Sequence, residues 1–279
     1  MKNVLFATTA LVLTAGVASA EVTFSGVAEA GVYDDTSNNY RVYSGIDINV
    51  AASATTENGL TLSVGTDFGR GETADVADKE LDDQTDDLTA PAVSIAMGAT
   101  TVTVHDEAVD DLYDDTQNGD IGIATSMGDA SIALTVDTKA AAGEPQYSYS
   151  VGYSMAGVSV TATGTDADDN GDAAMVIGAT YTMGNITVGL KSDNKGAAKS
   201  INTASVSYVA GPATISVSAD DNDDWDASIA YTTGAMTVNF STDEADAWEA
   251  DVSYDLGGAT AFAATDSNET VIAGVNFAF

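Results

Sequence analysis

Residues 179–190 read ATYTMGNITVGL, and close variants recur at VGYSMAGVSV (151–160), VSYVAGPATISV (206–217), IAYTTGAMTV (229–238) and VSYDLGGATAF (252–262). Each phrase is an alternating run carrying a tyrosine, then a glycine turn, then a second alternating run. Apolar and polar residues swap sides with a period of two, the pattern of a strand whose two faces meet different surroundings. Over 175–183, Met175, Ile177, Ala179, Tyr181 and Met183 share one face, against Val176, Gly178, Thr180 and Thr182. Beyond Gly184-Asn185, Ile186, Val188 and Leu190 oppose Thr187, Gly189 and Lys191. The phrase is therefore a hairpin closed by a glycine turn.

The rest of the chain follows the same grammar, and helical periodicity is nearly absent. Short connections centre on Asn58-Gly59, Gly98, Gly128, Gly157, Gly184, Gly211, Gly234 and Gly257-Gly258. Longer acidic ones, at 34–40, 69–91, 106–119, 138–146, 166–172, 193–200, 221–224, 243–246 and 266–269, alternate with them. One end of the sheet is trimmed and the other elaborated. Counting runs gives sixteen to eighteen strands; the eighteen-strand count includes the weakly patterned runs 92–97 and 120–127.

Residues 1–20 read as a cleaved secretory signal peptide, with Lys2, an apolar stretch from Val4 to Val17, and Ala18-Ser19-Ala20. Residues 21–279 then form a single domain. No later run is long and apolar enough for a membrane helix, so a membrane could be crossed only by strands. There are no cysteines, so an exported chain holds itself by hydrogen bonding and packing. Forty-three acids face eight bases. That balance argues against nucleic acid, whose phosphates would be repelled, and favours cations as ligands or permeants.

A soluble sandwich would hide the apolar face against a second layer, whereas a transmembrane antiparallel β-barrel turns it to lipid. The polar face is Thr, Ser, Gly, Asn and scattered carboxylates, which suits a water-filled interior. Tyr153, Tyr181, Tyr208, Tyr231 and Tyr254 all lie on the apolar face, each a few residues before a short turn. Five hydroxyls at one level would be hard to satisfy in a dry core, but they suit the lipid–water interface as an aromatic girdle. Phe68, Trp225, Phe240 and Trp248 are placed to form the second girdle. The expected fold is thus all-β, a barrel with short periplasmic turns and long acidic extracellular loops. The chain ends VIAGVNFAF, and Phe277 and Phe279 on the alternating face look like the C-terminal signal of barrel assembly.

Glu21-Val22 opening a strand, Met-Gly-Asn-Ile-Thr-Val-Gly at 183–189, Tyr-Asp-Leu-Gly-Gly at 254–258 and the terminal Phe-Ala-Phe resemble the general porins of alphaproteobacteria, the Rhodobacter-type trimeric outer-membrane porins. The resemblance implies a homotrimer of sixteen-stranded barrels, placed in outer-membrane lipid and lipopolysaccharide by the barrel-assembly machinery. Each pore would be narrowed by an inward-folded third loop, and calcium would bind among loop carboxylates. Carried onto this chain, the constriction loop is about 105–119, with Asp106, Glu107, Asp110, Asp111, Asp114 and Asp115. Val109, Leu112 and Tyr113 would tuck it against the wall. Arg41 matches a basic wall position of the family.

Alternation puts Glu29, Arg41, Asp47, Asp67, Lys191, Asp226, Glu249 and Asp251 on the polar, pore-wall face, with His105 at the base of the loop. Arg41 and Lys191 are the only clear bases there, so a uniformly negative eyelet and a cation-preferring channel are expected. Asp166, Asp168, Asn170 and Asp172 have the spacing of calcium-binding oxygens, although Ile177 stands where an EF-hand needs glutamate. No cofactor is required. His105, the single histidine, has no nucleophile motif beside it, and an enzyme is not expected. The alternative function is a non-channel surface or adhesin-type β protein with calcium-stabilised acidic loops.

Overall fold

The computed structural model describes residues 21–34, 40–84, 88–113, 117–141, 145–167, 173–194 and 199–279. The strands are β1 (Glu21–Asp34), β2 (Arg41–Thr55), β3 (Leu60–Asp75), β4 (Glu80–Gln84), β5 (Ala92–Met97), β6 (Thr100–Asp110), β7 (Asn118–Met127), β8 (Ala130–Val136), β9 (Tyr147–Met155) and β10 (Val158–Ala167). They continue with β11 (Ala173–Met183), β12 (Ile186–Asp193), β13 (Ile201–Ala210), β14 (Ala213–Asp220), β15 (Trp225–Thr233), β16 (Met236–Asp243), β17 (Trp248–Asp255), β18 (Thr260–Asp266) and β19 (Val271–Ala278). All pair antiparallel, and β1 closes on β19.

Of these nineteen strands, β4 pairs only with the outer part of β3, at 71–75, while residues 60–65 of β3 pair with β5. Leaving β4 out, eighteen strands form a closed antiparallel barrel. The weakly patterned runs are real strands, β5 and β7. The count is therefore two above the sixteen that the family resemblance implies.

The two ends of the barrel use different turn chemistry. At 98–99, 128–129, 184–185, 211–212 and 234–235 the first residue is glycine at φ 58–61°. The second residue has no positive φ, which makes these type II′ turns, whose twist matches that of paired strands. At the other end three connections, 221–224, 244–247 and 267–270, are compact four-residue turns rather than long loops. Each is built by the aspartate that ends the preceding strand. Asp220 Oδ1 accepts from Asn222 and Asp224 N, Asp243 Oδ1 from Ala245 and Ala247 N, and Asp266 Oδ1 from Asn268 and Thr270 N. The third turn residue, Asp223, Asp246 or Glu269, sits in the left-handed region. Part of the acid excess is thus turn architecture.

Residues directly opposite on paired strands share a face, so the register can be followed around the ring. Tyr153 meets Val160, Tyr181 meets Val188, Tyr208 meets Ile215, Tyr231 meets Val238 and Tyr254 meets Ala261. All five tyrosines lie on one continuous face and are 39–49 % exposed. Trp225, Phe240 and Trp248 lie on the same face towards the other end, the last two with ring centroids 6.5 Å apart. The buried apolar cluster of Tyr43, Phe262, Ala264 and Ile272 belongs to the opposite face. That opposite face is therefore the interior, and the tyrosines face outward. At the seam Gly26 and Phe279 exchange both backbone hydrogen bonds at 3.0 Å. A Cβ on Gly26 would meet the Phe279 ring at 2.9 Å, and that ring lies 5.9 Å from the Phe277 ring.

Candidate channel lumen

Register puts Glu29, Arg41, Asp47, Asp67, Lys191, Asp226, Glu249 and Asp251 on the interior face. Several of the acids accept from neutral neighbours. Asp47 accepts from Asn49 Nδ2 at 3.1 Å, Asp226 from Ser218 Oγ at 3.3 Å and Asp251 from Asn239 Nδ2 at 2.9 Å. Asp67 is hydrogen-bonded by the Thr89 hydroxyl, which ties the 88–90 segment to the wall. His105 Nε2 lies 2.7 Å from Ala90 O, on the other side of the same segment. Between these charges run hydroxyl pairs such as Ser94–Thr103 at 2.9 Å and Ser207–Ser216 at 3.0 Å.

Two connections turn into this lumen, in opposite directions. The β6–β7 ladder breaks register between Val104 and Val109, pairs again at Val109–Gly119 and Asp110–Asn118, and the connection leaves it after Asp110. Thr135 Oγ1 on β8 then donates to Asp110 O at 2.9 Å, and Leu112 N donates to Ser148 Oγ on β9 at 2.9 Å. Tyr113 OH reaches Asp193 Oδ1 on β12 at 3.2 Å. The loop thus runs along the inner wall over β8 and β9 towards β12, and it covers Ser148 completely. Asp111 Oδ1 accepts from Tyr113 N at 2.7 Å, which turns the chain within the loop. Asp114 and Asp115 lie outside the described residues.

Asp106 and Glu107 do not stand alone, as an acidic loop without bases would require. Lys139, from the β8–β9 connection, forms an ion pair with Asp106 and lies 3.5 Å from Glu107 Oε1. The hydrogen bond to Asp106 holds the lysine above its ordinary pKa. Both acids remain largely exposed at the rim.

The second inward element is the hairpin formed by the outer part of β3 and β4. It corrects the expectation that Arg41 and Lys191 are the only lumen bases, because Lys79 at its tip is also inside and only 4 % exposed. Lys79 Nζ lies 2.6 Å from Glu249 Oε2 on β17 and donates to Ala77 O at 2.8 Å. Arg41 Nη1 binds both oxygens of Glu72, at 2.8 and 2.6 Å, and its guanidinium sits 5.1 Å from the Tyr33 ring centroid. The available signal was the length of the 69–91 connection. Alternation alone does not say that such a segment folds inward.

Of the calcium candidates, Asp166 Oδ1 accepts from Gln146 N at 2.8 Å and Tyr147 N at 3.2 Å. Asp168, Asn170 and Asp172 lie outside the described residues. Among the described residues no group of three or more acidic or histidine side chains could hold a metal ion.

A family model described as Gram-negative porin matches residues 7–267. The chain belongs to the Gram-negative porin family. In fold the porin is similar to a three-substitution variant of Rh. blastica porin, with a TM-score of 0.56 and 17 % identity. The match covers 92 % of this chain and 100 % of that one. A triple mutant of Rhodopseudomonas blastica porin superposes with a TM-score of 0.55 at 16 % identity over the same shares. A third Rh. blastica variant gives 0.55 at 18 % identity, again covering 92 % and 100 %. Comparison with curated protein sequences returns no significant match. The porin is an outer-membrane channel, and the closed barrel with polar side chains inside is its water path.

Proposed function

We propose that this porin is a passive-diffusion channel for small hydrophilic solutes and ions, that it prefers cations, and that it works as a homotrimer. The observation carrying the preference is the pairing of its interior bases. Arg41 sits 2.6 Å from Glu72, Lys79 2.6 Å from Glu249 and Lys191 3.9 Å from Asp193, while Lys139 pairs with Asp106. Asp47, Asp67, Asp226 and Asp251 meanwhile accept hydrogen bonds from neutral side chains. Fields in a narrow aqueous path are set by such uncancelled charges, and here they are negative.

The outward tyrosine face belongs against outer-membrane lipid and lipopolysaccharide, with Phe277 and Phe279 as the signal for barrel assembly. Calcium belongs to the same proposal, with Asp166, Asp168, Asn170 and Asp172 as oxygen donors. Planar-bilayer recording in a salt gradient tests the central reading. Discrete steps in groups of three and a cation-selective reversal potential are expected, and an anion-selective potential refutes the preference.

A further inference from the structure

The hairpin of residues 71–84 runs inside the wall from its root on β3 to a strand well around the ring. Glu72 is held over β2 by Arg41, and Ala74 N donates to Glu29 Oε1 on β1 at 2.8 Å. Ala74, Val76 and Leu81 pack on Tyr43, Phe262, Ala264 and Ile272, from β2, β18 and β19. Lys79 ends the path at Glu249 on β17. From β3 to β17 the ring passes β2, β1, β19 and β18, which is five strand spacings. Five spacings of about 4.8 Å on a tilted barrel correspond to a chord of roughly 25 Å. An arm of about 17 Å plus a lysine stem of about 6 Å covers most of that distance.

The wall beneath is shaped for this layer. A Cβ on Gly45 would meet Glu72 O at 2.3 Å, and on Gly31 the Tyr43 ring at 2.7 Å. On Gly274 it would meet the Tyr43 hydroxyl at 2.6 Å and the Phe262 ring at 2.8 Å. Three glycines on adjoining strands therefore let a tyrosine lie flat and a second backbone approach. Among the described residues, this seam between hairpin and wall holds the buried apolar cluster.

We propose that the β3–β4 hairpin is a second constriction of the channel, a strap latched by Lys79 and Glu249, and that this pair sets how far the lumen opens on that side. The proposal rests on the diffusion-channel reading. The two inward elements depart from β3 and β6 and cover opposite arcs, one towards β17 and the other towards β12. A hairpin about 10 Å wide laid across a lumen about 25 Å wide blocks on the order of a third to a half of its section.

The test uses the full-length porin in planar bilayers, with hydrogen exchange on the same preparations. Lys79→Met frees only the tip, because Arg41–Glu72, Glu29–Ala74 and the apolar cluster still hold the root, so unitary conductance should rise by less than about 1.5-fold and open-channel noise should appear. The charge swap K79E/E249K should restore the wild-type value. A variant in which residues 72–83 are replaced by a short Gly-Ser turn should regain the whole section, about 1.5- to 2-fold in conductance, without the noise. Unchanged conductance in both Lys79→Met and the replaced hairpin overturns the strap. If the wild type does not conduct, the diffusion reading fails, and exchange decides the strap separately. Faster exchange at 74–82 in Lys79→Met, reversed in the swap, supports the latch, and unaltered exchange there refutes it.

Discussion

Glu29 is where the strap's docking can be measured directly. The residue is 8 % exposed, and its Oε1 accepts from both Tyr43 OH and Ala74 N at 2.8 Å. The first donor belongs to the wall and the second to the hairpin, so one oxygen fastens two layers. Glu29→Leu removes the acceptor and leaves both donors without it. Only the Ala74 bond joins hairpin to wall, so at about 1.5–2 kcal/mol for a hydrogen bond to a charged group, docking loses about 1.5–2 kcal/mol, and the lost Tyr43 bond weakens the wall itself. That corresponds to roughly a 10- to 30-fold shift towards the undocked hairpin. Glu29→Gln keeps an acceptor oxygen but loses the charge, so a smaller shift of about threefold is expected. The assay is amide exchange at Ala74 in detergent-solubilised porin. The reference is Thr182 N, which bonds Gly157 O at 2.8 Å at the tyrosine end of the barrel. Ala74 should lose protection while Thr182 keeps it. Unchanged protection at Ala74, or an equal loss at both amides, refutes the reasoning.

Two further outcomes follow from the turns and the seam. Asp224 is raised by the charge of Asp220, whereas Asp221 is lowered by hydrogen bonds from Asn202. Carboxyl NMR titration should therefore show Asp224 protonating before Asp221 as pH falls. Protonating Asp224 relieves repulsion in the turn. The stabilisation carried by Asp221 is present above its unfolded pKa and is lost only when pH falls through its lowered value. The reverse order of protonation would discredit the turn geometry. Gly31→Ala would put a methyl 2.2 Å from Ala273 O and 2.7 Å from the Tyr43 ring, so strand or ring must move. Its barrel should lose thermal stability in detergent and expose Tyr43, whereas Gly59→Ala, with open space around it and only its φ of +79° at issue, should cost less.

The period-two pattern, the glycine turns and the level of the tyrosines were all legible in the chain as written. Each expresses a local rule. A strand turns alternate side chains to opposite faces, a II′ turn wants glycine first, and an amphipathic ring settles at an interface. ATYTMGNITVGL could therefore be read as β11, a turn and β12, with Tyr181 outward, and the same logic placed Glu29, Asp226 and Asp251 on the interior face. The role of the acids was less legible. Asp220, Asp243 and Asp266 look like surface charge in sequence, and only their acceptor positions over the turn amides show them to be turn builders.

The barrel wall could be derived from the chain alone, because neighbouring strands and tight turns are coded by residues close together in it. The filling of the lumen, by contrast, depends on the closed ring. Glu29, Glu72, Lys79 and Glu249 are scattered from β1 to β17, and no spacing links Lys79 to a carboxylate 170 residues away. The closure of eighteen strands through Gly26 and Phe279 brings them within reach. Once the ring is closed, a hairpin with one apolar side has a glycine-floored surface to cover inside, and burying that side there turns an ordinary acidic loop into a strap across the channel.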